Sequence, residues 1–249
     1  MNELRLCNAR RLRDQQVSYE TAIEENPDNA GVSVPGSRRK RAVGHFSRFW
    51  ANGRTLKIGF TDEDLPEPHK QAIIAAINQW QASVNLTFEF IDGRENTPGY
   101  GKGDIRITTA SSANYTLIGT DAKANDPWTP TMVLGVKPSD PKFRYTIMHE
   151  FGHALGAEHE HQHPEADIPW DVSKVYEHYA KAGHSAEEVD ESVLRKFESD
   201  KTTYTAYDKQ SIMHYPVPNT ITIGDWEVGL NAMISDKDKA FMRKAYPKR

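Results

Sequence analysis

From Phe49 onward, apolar and polar positions fall into two periods, and the switches between them mark out the elements. Residues 55–60 alternate with the two-residue period of a strand buried on one face. Ile73, Ile74, Ile77, Trp80 and Val84 then recur at helical spacing, which predicts a helix over 67–84. Alternation resumes over 85–91. Two short apolar runs, 104–108 and 132–135, read as further strands separated by a loop rich in Ser, Asn, Thr and Pro. A second helix is predicted over 143–157 and a closing helix over 236–245; beyond Trp170 the pattern is helical and irregular, with little strand period. A helix interleaved with four or five strands, followed by a helical and irregular half, predicts an α+β protein.

The first forty residues look different. Residues 1–20 are studded with Arg, Asp and Glu and hold no apolar stretch of signal-peptide length, so the chain as written opens without a secretory leader. Residues 21–41 contain Asn-Pro-Asp-Asn-Ala-Gly, then Val-Pro-Gly-Ser, then Arg38, Arg39, Lys40 and Arg41, the composition of an exposed linker. The expected division is an N-terminal extension or propeptide-like segment over 1–41 and a main domain over 42–249. The basic run is either a solvated charge cluster or a processing site. With 249 residues, 37% of them hydrophobic, the chain can bury a substantial core, and no run is long and apolar enough to span a membrane. A net charge of -4 gives no general attraction for nucleic acid. One cysteine, Cys7, excludes an intrachain disulfide and a cysteine-built metal cluster, so any metal must be held by histidine and carboxylate.

The segment from His149 to His159 reads His-Glu-Phe-Gly-His-Ala-Leu-Gly-Ala-Glu-His. Residues four apart share a helix face, so His149 and His153 can offer two imidazoles to one metal ion. Glu150 is rotated from them by about 100° and stands beside such an ion, where it suits a general base acting on water. Gly156 can adopt the left-handed conformation that ends a helix and turns the chain, bringing His159 back as a third ligand. Three histidines with one position left for water make the open tetrahedral zinc site of catalytic proteins. HExxH alone also arises on solvated helix faces; the extended form with its third histidine is far more specific. His161 and His163, just beyond, read as spare solvent-exposed histidines.

Farther on stands Tyr207-Asp208-Lys209-Gln210-Ser211-Ile212-Met213-His214-Tyr215-Pro216. With both motifs in place the sequence resembles the metzincin metallopeptidases and, within them, the astacin-like family, whose hallmark is HExxHxxGxxHE followed by a methionine turn reading SxMHY. Glu160 supplies the final E, and Ser211 to Tyr215 the turn. The resemblance extends to residues 49–53, 104–107, 130–132 and 234–238 and covers 42–249. Having no cysteine pairs, the chain is similar to bacterial and fungal members without disulfides.

That resemblance implies a zincin-like fold: a twisted mixed sheet with two long helices in an upper lobe, an irregular lower lobe, and the active-site cleft between them. It implies His149, His153 and His159 as ligands of one zinc ion per chain and Glu150 as the base. Met213 would form an apolar floor. Tyr215 would match the family tyrosine that can bind zinc at rest and swing to stabilise the oxyanion. The implied function is a zinc-dependent endopeptidase working through zinc-bound water, with a protein or peptide substrate extended along an edge strand of the upper sheet, 103–108 or its neighbour. The expected protein is a monomer, secreted or delivered outside the producing cell by leaderless export or after removal of a leader. Alternatives are a catalytically silent zinc- or peptide-binding module, and the same protease deployed as a delivered toxin; the joint presence of ligands, base and tyrosine weighs against the silent module. Cys7 is either a removable fourth zinc ligand, since thiolate binds zinc well, or an ordinary thiol in a flexible arm. On the family pattern, cleavage after Arg41 would free an ammonium at Ala42 to pair with Glu160.

Overall fold

The structure, a computed structural model, describes residues 8–30, 46–198 and 205–248. Cys7, the basic run 38–41 and Ala42 lie outside the described residues. The elements begin with β1 (Asn8–Arg10), α1 (Gln15–Glu25), β2 (Thr55–Phe60), α2 (Glu67–Ile77), β3 (Thr87–Asp92), β4 (Ile105–Thr108) and β5 (Asn114–Leu117). There follow α3 (Asp121–Ala124), β6 (Met132–Leu134), α4 (Phe143–Ala154), α5 (Val172–Ala180), α6 (Ala186–Val189) and α7 (Asp236–Ala245). The predicted helix over 67–84 is α-helical only to Ile77 and continues as a 3-10 turn to Ser83. The tighter winding buries Trp80 completely, and its indole N–H donates to Met148 O at 2.9 Å. The closing helix matches its expected bounds, because Ser235 and Asp238 form a reciprocal capping box at its start.

One mixed sheet runs in the order β1-β5-β6-β4-β2-β3, parallel throughout except where β5 meets β6. Leu56, Ile58, Ile105, Ile107 and Leu134 from the sheet pack with Ile73 and Ile77 of α2 and Ile147 and Phe151 of α4 into the larger core. A second, smaller core joins Val175 and Tyr179 of α5 to Val189, Val193, Val217, Ile221 and Val228. These are the upper lobe with its two longer helices and the irregular lower lobe. Met213 belongs to the first core and Tyr215 to the second, so the methionine turn stitches the lobes together.

Two expectations are corrected here. Strand 103–108 is not an edge: β4 lies between β2 and β6, which is why Ile105, Arg106 and Ile107 are all buried. The edge beside α4 is β5, and β1 already covers it, pairing Asn8 with Tyr115 through Arg10 with Leu117 in parallel. Residues 21–30 are also no linker. They complete α1 and form a 3-10 turn, with Ala22, Glu25 and Asn29 buried. Polarity disguises the docking. Glu25 receives Arg54 at 2.9 Å and Lys123 at 2.7 Å, while Asn29 accepts from Phe49 N and donates to Phe49 O.

Candidate active site and metal centre

On α4, His149 and His153 stand one turn apart with their Nε2 atoms 3.2 Å from each other. The helix ends at Ala154, and Gly156 takes φ +96, where an added Cβ would fall 2.8 Å from a ring carbon of Phe49. The turn made there brings His159 Nε2 to 3.0 Å from His153 Nε2. His149 Nδ1–H donates to Ile212 O at 2.7 Å and His153 Nδ1–H to Ala157 O at 2.8 Å. These carbonyls fix the tautomers and turn the Nε2 lone pairs toward one point. Burial pushes His149 down to about 3 and His153 to about 4, and takes His159 well below its ordinary value, so all three are neutral near pH 7. Neutral lone pairs that close repel unless a cation lies among them. Separations of 3.0 and 3.2 Å are near the edge of a tetrahedron built on zinc–nitrogen bonds of about 2.0–2.1 Å, so the donor set fits zinc.

The floor is as tightly specified. Gly152 lies between the two helical histidines, and a Cβ there would sit 2.4 Å from Met213 Sδ. Met213 is held by its turn: Asp238 of α7 accepts from Ser211 Oγ at 2.6 Å and Ile212 N at 2.9 Å, and Ser211 Oγ accepts from Met213 N at 3.0 Å. Sequence patterning missed Asp238 as part of the site, although its capping position was legible.

Glu150 is buried on the same helix. Tyr215 is buried in a corner made by two imidazoles, its ring centroid 4.3 Å from His159 and 4.3 Å from His161. His161 and His163, expected to be solvent-exposed, are both buried, because segments farther along the chain supply carbonyl acceptors: Ser192 O, in the helical turn 190–194, at 2.9 Å for His161 Nε2 and Thr205 O at 2.7 Å for His163 Nε2. His214 donates from Nδ1 to Tyr215 O at 2.6 Å and accepts the Tyr207 hydroxyl at Nε2 at 2.7 Å.

Beside His159 opens a cavity of about 560 Å³ lined by Arg11, Phe49, Glu158, Glu160, Asp208 and Lys237, among others. Glu160 accepts Asp208 N at 2.8 Å, but burial, reinforced by Asp238 and Asp208, pushes its carboxyl up to about 8. Arg11, which follows β1, closes on Glu158 at 2.7 Å. Cys7 lies outside the described residues and has no placement relative to the histidines.

An α+β fold with three converging histidines, a glutamate next in sequence to the first, and a methionine beneath them defines a zinc metallopeptidase of the metzincin type. The model of the Astacin peptidase family matches residues 43–246, and the chain belongs to that family. Among solved structures, one of myroilysin is 34% identical with TM-score 0.74, covering 81% of this chain and 97% of that one. A second crystal structure of myroilysin is 33% identical with TM-score 0.59, covering 88% and 90%. High choriolytic enzyme 1, a hatching enzyme zinc-protease from Oryzias latipes (medaka fish), shares the fold at 16% identity and TM-score 0.55, covering 81% and 96%. No curated protein sequence matches the chain. Among the described residues, no helix is long and apolar enough to cross a membrane.

Proposed function

We propose that this chain is an endopeptidase in which His149, His153 and His159 hold one zinc ion and Glu150 is the general base. The observation that carries the reading is the convergence of three buried Nε2 atoms from α4 and the following turn, with Glu150 on that same helix. Bound there, zinc would supply Lewis-acid chemistry, polarising the scissile carbonyl and lowering the pKa of water toward neutrality. Glu150 takes the proton of the attacking water and returns it to the leaving amine. The Tyr215 phenol donates to the carbonyl oxygen as negative charge grows on it.

The same reading gives residues 1–41 a role. β5 is the sheet edge beside α4, tied to it where Gly119 N donates to His153 O at 3.0 Å, and an extended substrate adding to that edge meets β1 already there. Removal of the segment precedes substrate binding. Cleavage after Arg41 would free the ammonium of Ala42, and Glu160, at the cavity with its carboxyl pushed up to about 8 by burial, is the group placed to receive it. Cys7, next to β1 in sequence, is the candidate fourth ligand of the latent state, and the active enzyme works outside the producing cell as a monomer.

The test is Glu150→Ala. It should retain about one zinc per chain and lose cleavage of denatured casein by several orders of magnitude, as should the parent chain treated with a chelator. A Glu150→Ala protein that still cleaves at the parental rate overturns the assignment.

A further inference from the structure

The sequence pattern puts His161 on the surface, yet it is 2% exposed and carries no role in holding the metal. Its ring lies nearly parallel to that of Tyr215, with an interplanar angle of 17° and centroids 4.3 Å apart. His159 meets the same phenol ring at 53°, and the two histidines are 5.3 Å from each other, so Tyr215 sits in a corner with His161 as its flat wall.

The wall is anchored. His161 Nε2 donates to Ser192 O at 2.9 Å, which leaves the lone pair on Nδ1, a buried nitrogen with no hydrogen-bond partner among the described residues. Burying such a nitrogen carries a desolvation cost that a phenyl ring in the same place would avoid. A phenyl, however, would have no hold on Ser192. The carbonyl itself is fixed, because Gln162 Nε2 donates to Glu191 O at 2.8 Å and to Arg195 O at 3.1 Å, on either side of Ser192. The other end of the tyrosine is fixed as well, through the bond from His214 to its carbonyl and the Tyr207 hydroxyl behind His214. Backbone and ring are therefore held by separate devices, one from the methionine turn and one from the turn at 190–194.

We propose that His161 is a positioning residue for Tyr215, a wall locked by Ser192 O that sets the plane of the phenol ring and so the approach of its hydroxyl to the reacting carbonyl. The proposal rests on the peptidase reading for its kinetic consequence, but not for its structural one. Because it acts through the tyrosine, loss of the wall should appear in kcat rather than in KM or zinc content.

The experiment compares His161→Gln, which loses the wall, with His161→Phe, which keeps a wall but loses the anchor. Each is made with Tyr215 and with Tyr215→Phe, all after the same proteolytic treatment and with Glu150→Ala as blank. His161→Gln should lower kcat on a fluorogenic peptide by about 10–100-fold with KM and zinc content nearly unchanged, His161→Phe by less, and neither should matter once the Tyr215 hydroxyl is gone. A second readout needs no activity: in protein with isotopically labelled tyrosine, the ring-flip rate of Tyr215 followed by NMR should rise most in His161→Gln. Equal losses with and without the hydroxyl, or loss of zinc, overturn the proposal. So does an unchanged flip rate. A Tyr215→Phe protein with parental kcat, or activity that survives in Glu150→Ala, overturns the peptidase roles instead and leaves His161 to be judged on the flip rate.

Discussion

Replacing Gly152 by alanine sets two effects of known size against each other. Inside a helix, alanine is preferred to glycine by about 1 kcal/mol. At this position the new methyl would fall 2.4 Å from Met213 Sδ, 3.2 Å from Met213 Cε and 3.2 Å from Trp80 Cζ2. Ordinary contacts begin near 3.5 Å, so the sulfur must retreat by about 1 Å. It has little room: Met213 is 3% exposed and tied to Asp238 through its turn, and Trp80 is fully buried with its indole bonded to α4. Overpacking of this kind costs about 1–3 kcal/mol, and the severity of the clash selects the upper half of that range. The net destabilisation is about 1–2 kcal/mol, a fall of roughly 2–8 °C in Tm for a chain of this size. Met213→Ala removes the obstacle, so in that background the same Gly152→Ala change should be neutral or stabilising by about 1 kcal/mol. Thermal unfolding of the four zinc-loaded proteins, followed by circular dichroism, measures the cycle. If Gly152→Ala stabilises the parent as much as it stabilises Met213→Ala, the packing account of the glycine is wrong.

Tyr215→Phe should reduce kcat by about 10–10³-fold with KM little changed, the size expected for removal of an oxyanion donor, as read in steady-state kinetics on one peptide. Burial lowers His161 to about 3 and His214 to about 4, so between pH 6.5 and 4 the unfolded chain takes up protons that the folded chain refuses. The contribution of these two histidines is therefore fully present above about pH 6.5 and is lost by up to about 2–3 kcal/mol per pH unit below it, a fall that Glu160, its carboxyl raised to about 8, offsets by about half down to pH 4.5; stability that does not fall between pH 6.5 and 4 in denaturant titrations would contradict this. Glu25→Gln leaves Arg54 and Lys123 without their shared carboxylate and should loosen residues 8–30 by about 1–3 kcal/mol, which hydrogen exchange of α1 and a rise in the intact chain's basal cleavage would report. After cleavage behind Arg41, activity should rise in the parent and rise less in Glu160→Gln, as measured by N-terminal sequencing alongside the peptide assay.

How much could be read beforehand depended on what kind of force places a residue. The histidine motif was legible because helical spacing and one glycine encode its geometry locally, and β2, α4 and α7 were legible because their apolar periods or caps match their burial. The strand β5 was not: Asn114-Tyr115-Thr116-Leu117 alternates over only four residues, the residue it buries is the polar Thr116, and it lies within a run of turn-forming residues. Docking of α1 was hidden because its buried positions are Ser18, Ala22 and Glu25, satisfied by Arg48, Asp121, Arg54 and Lys123 far along the chain. His161 and His163 looked exposed for the same reason; their acceptors are backbone carbonyls of a short helical turn at 190–194 and of Thr205, which no periodicity identifies.

Asp238 also gives the enzyme a timetable. The histidines of α4 emerge from the ribosome long before the carboxylate that fixes Ser211 and Ile212, and before Tyr246, whose hydroxyl donates to Leu155 O at 2.7 Å just past the end of α4. Domains generally fold as units, and α4 and α7 share one core. The platform beneath the histidine helix therefore closes only once α7 has been synthesised and docked. A chain ending before α7 would carry every histidine of the motif and still lack the carboxylate that braces the turn beneath them.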